Sequence, residues 1–79
     1  MLHFNKTSLE EVQRERLSEL IEFTEGNYPF LAKMLGVPVG TVQGWLSRGR
    51  ISKSGALLVE KNDALNKNFT AVYLRPDIK

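Results

Sequence analysis

The sequence predicts an all-α protein: a compact bundle of four to five helices, a helix-turn-helix at its centre, and room for a short extended segment at either terminus. Three observations carry this. Apolar residues recur at roughly helical spacing through Leu9, Val12, Leu17, Leu20 and Ile21. The stretches between breaks are short, and the breaks fall at Gly26, Gly36 and Ser47–Arg50. The window from Tyr28 to Ser47 has Ala32, Gly36, Val42 and Trp45 at spacings that each have a physical reason. Ala32 is small enough for two helices to cross closely. Gly36 sits in a tight turn, where a left-handed backbone costs a residue with a Cβ roughly 1–2 kcal/mol. Val42 and Trp45 share one face of the second helix and pack back on the first, with Leu31, Leu35 and Val37 completing the wedge.

The elements follow in order. Met1 to Thr7 has no clear period and reads as a mobile arm. Ser8 and Glu11 form a capping-box pattern, and the first helix is expected over Ser8–Glu25. Gly26 ends it, Asn27 starts the second, and Pro29 falls in the first turn, where its missing N–H costs nothing; this helix runs to Leu35. The third is expected from Pro38 to Ser47, weakened at Gly40 and Gly44 by about 0.8–1.0 kcal/mol each. Those two glycines lie on one face, which fits backbone approach to a groove, close helix packing or simple tolerance of the weakening. Ser47–Arg50 is a turn, and Ile51 returns to the core. A fourth helix over Ser52–Leu65 is expected to bury Ala56, Leu57, either Val59 or Leu58, and Leu65. Thr70 caps a last short helix to Leu74, stopped by Pro76; a strand through Phe69–Leu74 is the alternative, since these residues also favour β structure.

At 79 residues the chain reads as one domain with a small core. It has no cysteine, so no disulfide framework and no thiolate metal site. No apolar run approaches the ~20 residues that span a bilayer, and MLHFNKTS has no signal-peptide hydrophobic region. A soluble cytoplasmic protein, of a bacterial nucleoid or a phage-infected cell, is the expectation. The net charge of +2 is ordinary, but its distribution is not. Glu10, Glu11, Glu15, Glu19, Glu22 and Glu25 crowd the first helix, whereas Gly26 to Val59 contains no acid and holds Lys33, Arg48, Arg50 and Lys53. A segment that faces phosphate needs that distribution.

Catalysis finds little in the sequence. The single histidine, His3, is in the expected arm; the paired glutamates of the first helix lie on a solvated face; the glycines have no phosphate-loop lysine pattern. No metal, cofactor or small-molecule ligand is expected. In the DNA-binding form of a helix-turn-helix, the second helix lies in the major groove. Gln43 projects from its exposed face and is suited to pair bidentately with adenine; Val39 and Thr41 are placed to touch a thymine methyl, and Gly44 to let the backbone approach the bases. Ser47, Arg48, Arg50 and Lys53 are expected to hold phosphate at the end of that helix, and Asn27, Tyr28 and Lys33 to meet the neighbouring groove wall.

Ala32, Gly36, Val42 and Trp45 together resemble the signature of lambda-repressor and Cro-like DNA-binding domains. The basic turn Arg48–Ile51, the helix ending in Val59–Glu60, and the closing Thr70–Asp77 with its Leu74-Arg75-Pro76-Asp77 are similar to small Cro-like regulators of phages and prophages. The resemblance implies a transcriptional regulator, acting as a repressor that binds double-stranded DNA as a homodimer. It departs at two places. Tyr28 stands where such motifs often carry a phosphate-binding glutamine, and Pro38 opens a helix that usually opens with serine or threonine. The other reading is a protein-interaction module on the same scaffold, with the acidic face of the first helix as its basis.

Overall fold

The computed structural model describes the backbone of residues 6–78, and over that span every regular element is a helix. Five are described: α1 (Lys6–Phe23), α2 (Tyr28–Leu35), α3 (Val39–Arg48), α4 (Lys53–Lys61) and α5 (Ala71–Leu74). The all-α expectation holds, and the strand alternative for the closing segment does not. Thr70 caps α5 through its hydroxyl, which accepts from the Tyr73 N–H at 3.1 Å, and the Glu60 carboxylate accepts from the Ala71 N–H at 2.8 Å. Residues 1–5 of the expected arm, with His3, lie outside the described span.

The first helix differs from its sequence reading at both ends. It includes Lys6 and Thr7, so these belong to α1 and not to an arm, and Ser8 lies inside the helix, not at a capping box. Neither Lys6 nor Thr7 breaks a helix, so the pattern at Ser8–Glu11 had no boundary to mark. At the other end α1 stops at Phe23, short of Glu25. The Thr24 hydroxyl donates to the Ile21 carbonyl at 2.8 Å, and Glu25 and Gly26 then take left-handed backbones (φ 58° and 77°), which turn the chain out of the helix.

Local chemistry explains the next boundaries. Asn27 Oδ1 accepts from the Phe30 N–H at 3.1 Å and caps α2, with Pro29 in the first turn. Gly36 closes α2 at φ 72°, and two bonds finish the turn: Gly36 N–H to the Lys33 carbonyl and Val37 N–H to the Ala32 carbonyl. That pair is a Schellman closure, and it demands the left-handed residue that glycine supplies most easily. Gly49 ends α3 with the same left-handed backbone, at φ 79°, but there the Gly49 and Arg50 N–H groups both bond the Trp45 carbonyl; the Ser52 hydroxyl caps α4 through the Gly55 N–H at 3.0 Å.

The fourth helix is shorter than the sequence reading. It ends at Lys61, and residues 63–68 form turns. Asn62 sets the stop: its Nδ2 donates to the Met34 carbonyl at 3.1 Å while its Oδ1 accepts from the Ala64 N–H at 2.9 Å. The side chain thus ties the end of α4 to the end of α2 and redirects the chain. Leu65 still reaches the core, but from the turn. Leu57 was expected inside and is exposed, as is Leu58; Ala56 and Val59 are the buried pair of α4.

The core joins Leu17 and Leu20 of α1 with Leu31, Ala32, Leu35, Val42, Trp45, Ile51, Ala56, Val59, Leu65, Phe69, Ala71 and Leu74. Trp45 is buried at its centre. One contact there was not visible in the sequence: a Cβ at Gly55 would overlap the Trp45 ring, so glycine in α4 is what lets the indole lie against that helix. The tail is also fastened. The Arg75 guanidinium, itself buried, donates to the Ile51 carbonyl at 2.9 Å and grips Asp77 with two bonds of 2.9 and 2.6 Å; Gln13 Nε2 of α1 adds a third bond to Asp77 at 3.0 Å. The Arg75 guanidinium beside it holds the Asp77 carboxyl down at about 2. No helix among the described residues is long and apolar enough to cross a membrane.

Candidate nucleic-acid interface

The packing of α3 sorts its side chains into two sets. Val42 and Trp45 face inward, against α2 and the core, as their three-residue spacing requires. Val39, Gly40, Thr41, Gln43, Leu46, Ser47 and Arg48 are exposed. Pro38 starts the helix with an extended backbone (φ −62°, ψ 148°) and no side-chain cap, so the first turn of α3 leaves backbone donors unpaired by side chains. Beyond its end, Arg50 and Lys53 are exposed as well, and so is Lys33 on α2. Every residue expected to meet phosphate is therefore at the surface except Tyr28, which is half-buried with its ring against the core.

Two of the expected residues touch. Gln43 Nε2 of α3 lies 3.4 Å from the Tyr28 hydroxyl at the start of α2, a long bond that joins the first residue of one helix to the outward face of the other. The sequence placed these two in separate roles. The contact leaves the Gln43 carbonyl oxygen and the tyrosine O–H hydrogen free to serve a ligand. Asn27 is more committed: its Oδ1 caps α2 and only its amide N–H₂ remains.

The glycines on α3 resolve into different cases. A Cβ at Gly40 would meet nothing within 4 Å, so close helix packing does not explain this residue. A Cβ at Gly44 would come within 3.2 Å of the Arg48 guanidinium, which folds back over it. Gly44 thus lies beneath a cationic head group and not against a helix. Its half-buried state comes from Arg48, four residues on.

One basic residue at this end of the molecule was missed. Arg14 belongs to the acid-rich first helix, yet its guanidinium lies directly over Gly49, so close that a Cβ there would be within 2.7 Å of its central carbon. Sequence offered no signal for it, because only the packing of α1 on the α3–α4 turn brings residues 14 and 49 together. The closing segment, Phe69 to Leu74, offers little surface to a second copy: Phe69, Ala71 and Leu74 are buried in the protein's own core, and Val72 alone of its apolar aliphatic side chains is exposed. Among the described residues no group of three histidine, cysteine, aspartate or glutamate side chains is placed to hold a metal ion. No family model, curated protein or solved structure matches this chain.

Proposed function

We propose that the protein is a small Cro-like transcriptional regulator that binds double-stranded DNA in a sequence-specific way, with α2 and α3 as its helix-turn-helix and α3 as the helix that enters the major groove. The observation that carries this reading is the outer face of α3: exposed, free of acidic residues, bearing Gln43 at its middle and followed by Arg48, Arg50 and Lys53. In this arrangement Gln43 reads a base edge through its amide, Val39 and Thr41 lie beside it, and Gly40 keeps the helix slim where it meets the groove, while Gly44 makes room for the Arg48 guanidinium. Ser47, Arg48, Arg50 and Lys53 hold one phosphate strand. Asn27, Tyr28 and Lys33 hold the other wall, with the Tyr28 hydroxyl accepting from Gln43 while donating to a phosphate oxygen. Repression follows from occupying an operator and excluding polymerase. A homodimer on paired half-sites about one helical turn apart fits a protein with a single reading helix.

Binding to a random-sequence duplex at two salt concentrations tests the phosphate component, since affinity for a polyanion falls steeply as salt rises. Selection of bound DNA from a random pool then tests reading and stoichiometry together: a palindromic consensus supports a specific dimer, and no enrichment removes the specific reading. The second reading is a protein-interaction module, and Phe23 and Phe30 favour it, being large apolar side chains about half exposed beside one another on a cleft with Thr24, Glu25 and Asn27. Absence of duplex binding at low salt removes the DNA reading and leaves this one to be tested.

A further inference from the structure

Between α1 and the α3–α4 turn there is an open cleft of about 310 Å³, lined by Glu10, Gln13, Arg14, Arg48, Gly49 and Arg50. Three guanidiniums and one carboxylate share it. Among the described residues none of the three arginines makes an ion pair or a side-chain hydrogen bond, whereas Arg16 and Arg75 elsewhere are each tied to a backbone carbonyl. Like charges gathered together repel one another, and Glu10 is the one carboxylate lining the cleft against three guanidiniums. The backbone nonetheless favours the gathering: Gly49 has no Cβ, and the Arg14 guanidinium occupies the space one would fill. Gln13 gives a second mark. It is buried, its Nε2 is used by Asp77, and its Oε1 has no hydrogen-bond partner among the described residues. That oxygen is an acceptor able to hold one guanidinium N–H in place as the arginines converge on an anion.

We infer that this cleft is a phosphate site, and that the phosphate it takes is a backbone phosphodiester of a duplex bound across α3, so that Arg14 of the acidic first helix is a DNA contact. The inference rests on the proposed DNA-binding reading and extends it to a third element. Continuity argues for a duplex as the source. Arg48 lines the cleft and also lies over Gly44 on the outer face of α3, so one residue joins the reading face to the cleft. Openness argues the same way. All three arginines are exposed, and exposed charges are screened too well by salt to retain a lone small anion, whereas a polyanion held at several other points presents its phosphate at high local concentration.

The test uses the full chain as wild type, Arg14→Gln, Arg14→Lys and, as a control from the turn after α4, Lys67→Gln. Affinity for a preferred and a scrambled duplex is measured over a salt series, with thermal melts to establish folding. Arg14→Gln is expected to melt like wild type, to weaken both duplexes alike, and to lower the salt slope by about 0.9, the value for one phosphate contact. Arg14→Lys keeps the charge and the slope; Lys67→Gln changes neither. A wild-type slope in Arg14→Gln, with wild-type binding intact, overturns the inference and leaves the DNA-binding reading standing. If wild type binds no duplex, that reading fails first, and inorganic phosphate decides what remains of the cleft. A saturating shift of the Gly49 amide resonance that Arg14→Gln abolishes keeps the phosphate chemistry and overturns the duplex as its source; no shift overturns both.

Discussion

Two polar surfaces of this molecule use their side chains in opposite ways. Where α1 meets the closing segment, charged and amide groups are bonded to one another: Gln13 and Arg75 to Asp77, Arg75 to the Ile51 carbonyl, Arg16 to the Tyr73 carbonyl and across the Tyr73 ring at 4.2 Å, and the Tyr73 hydroxyl to Glu19. Around α3 the polar groups are almost unbonded. Gln43 has one long contact, and Arg14, Arg48 and Arg50 have none among the described residues. Both surfaces carry cations on helical frames, so composition does not separate them. What separates them is whether the donors are satisfied within the fold. Satisfied donors hold the tail and the helices in register; unsatisfied ones, on and beside a helix that itself carries no acid, remain available to a partner rich in acceptors.

The largest effect is expected from inside the fold. Trp45 is the inner side of the same helix whose outer side is free, so Trp45→Ala should remove the fold and both surfaces with it. Loss of a buried aromatic of this size costs about 3–5 kcal/mol, a large share of a small domain's stability. A thermal melt close to wild type would show that α3 is not seated as described. Binding assays on this variant carry no information about reading.

The bonded surface comes next. Arg75→Met keeps the apolar stem of the side chain but removes the donor to the Ile51 carbonyl and leaves the Asp77 carboxylate with the Gln13 amide alone. Hydrogen bonds to charged groups contribute about 1.5–3 kcal/mol, and a loss in that range, read from denaturant unfolding, is expected with no change in the salt slope of DNA binding. Acid sharpens the assignment. The Asp77 pKa is lowered from 3.8 to about 2 by Arg75, so its contribution is complete above the unfolded value and is lost as pH falls through about 2. Asp77→Asn should therefore be less stable than wild type at neutral pH, and the gap should close on acidification from about pH 4 towards pH 2. A gap that stays constant with pH would mean that the carboxylate charge is not what Arg75 stabilises.

These same residues show where the sequence was readable. Asn27, Gly36 and Thr70 act on groups within a few positions of themselves, so their caps and turns could be read directly. Trp45 was readable from its spacing to Val42. The contacts that escaped are those that close over long separations. Arg75 meets Ile51, Gln13 meets Asp77, and Asn62 meets the Met34 carbonyl, and the last of these is why α4 ends at Lys61. Ser8 failed for a different reason: its pattern with Glu11 was a true local signature, but signatures do not say whether the helix has already begun. The candidate site divides along the same line. Its α3 residues followed from helical period, whereas Arg14 required the packing of α1 on Gly49.

The unbonded surface is expected to respond with little change in stability. Arg48→Ala and Arg50→Ala remove side chains with no internal bond among the described residues, so melts should stay near wild type. Each should weaken binding to all duplexes alike and lower the salt slope by roughly 1. A fall in melting temperature with an unchanged slope would move these arginines to the bonded class and take them out of the interface.

The smallest expected effect on the fold is at Gln43, and it is the most discriminating. Gln43→Ala loses one 3.4 Å contact, too long to matter much for stability. It should leave the salt slope unchanged and cost about 1–3 kcal/mol on the preferred duplex alone, because a bidentate amide–base pair supplies discrimination and not charge. Tyr28→Phe refines the result. It removes the hydroxyl that accepts from Gln43 and leaves the ring packed on the core, so the glutamine keeps its own groups but loses the partner that orients it. The tyrosine variant should therefore show a weaker form of the same loss on the preferred duplex, together with whatever phosphate contact its O–H makes, which would appear as an equal loss on a scrambled duplex. In the double variant the preferred-site losses should not add, since residues in contact act as a unit. Additive losses would separate Tyr28 from Gln43 in function despite their contact, and a Gln43→Ala variant that weakens both duplexes equally would remove α3 as the reading helix.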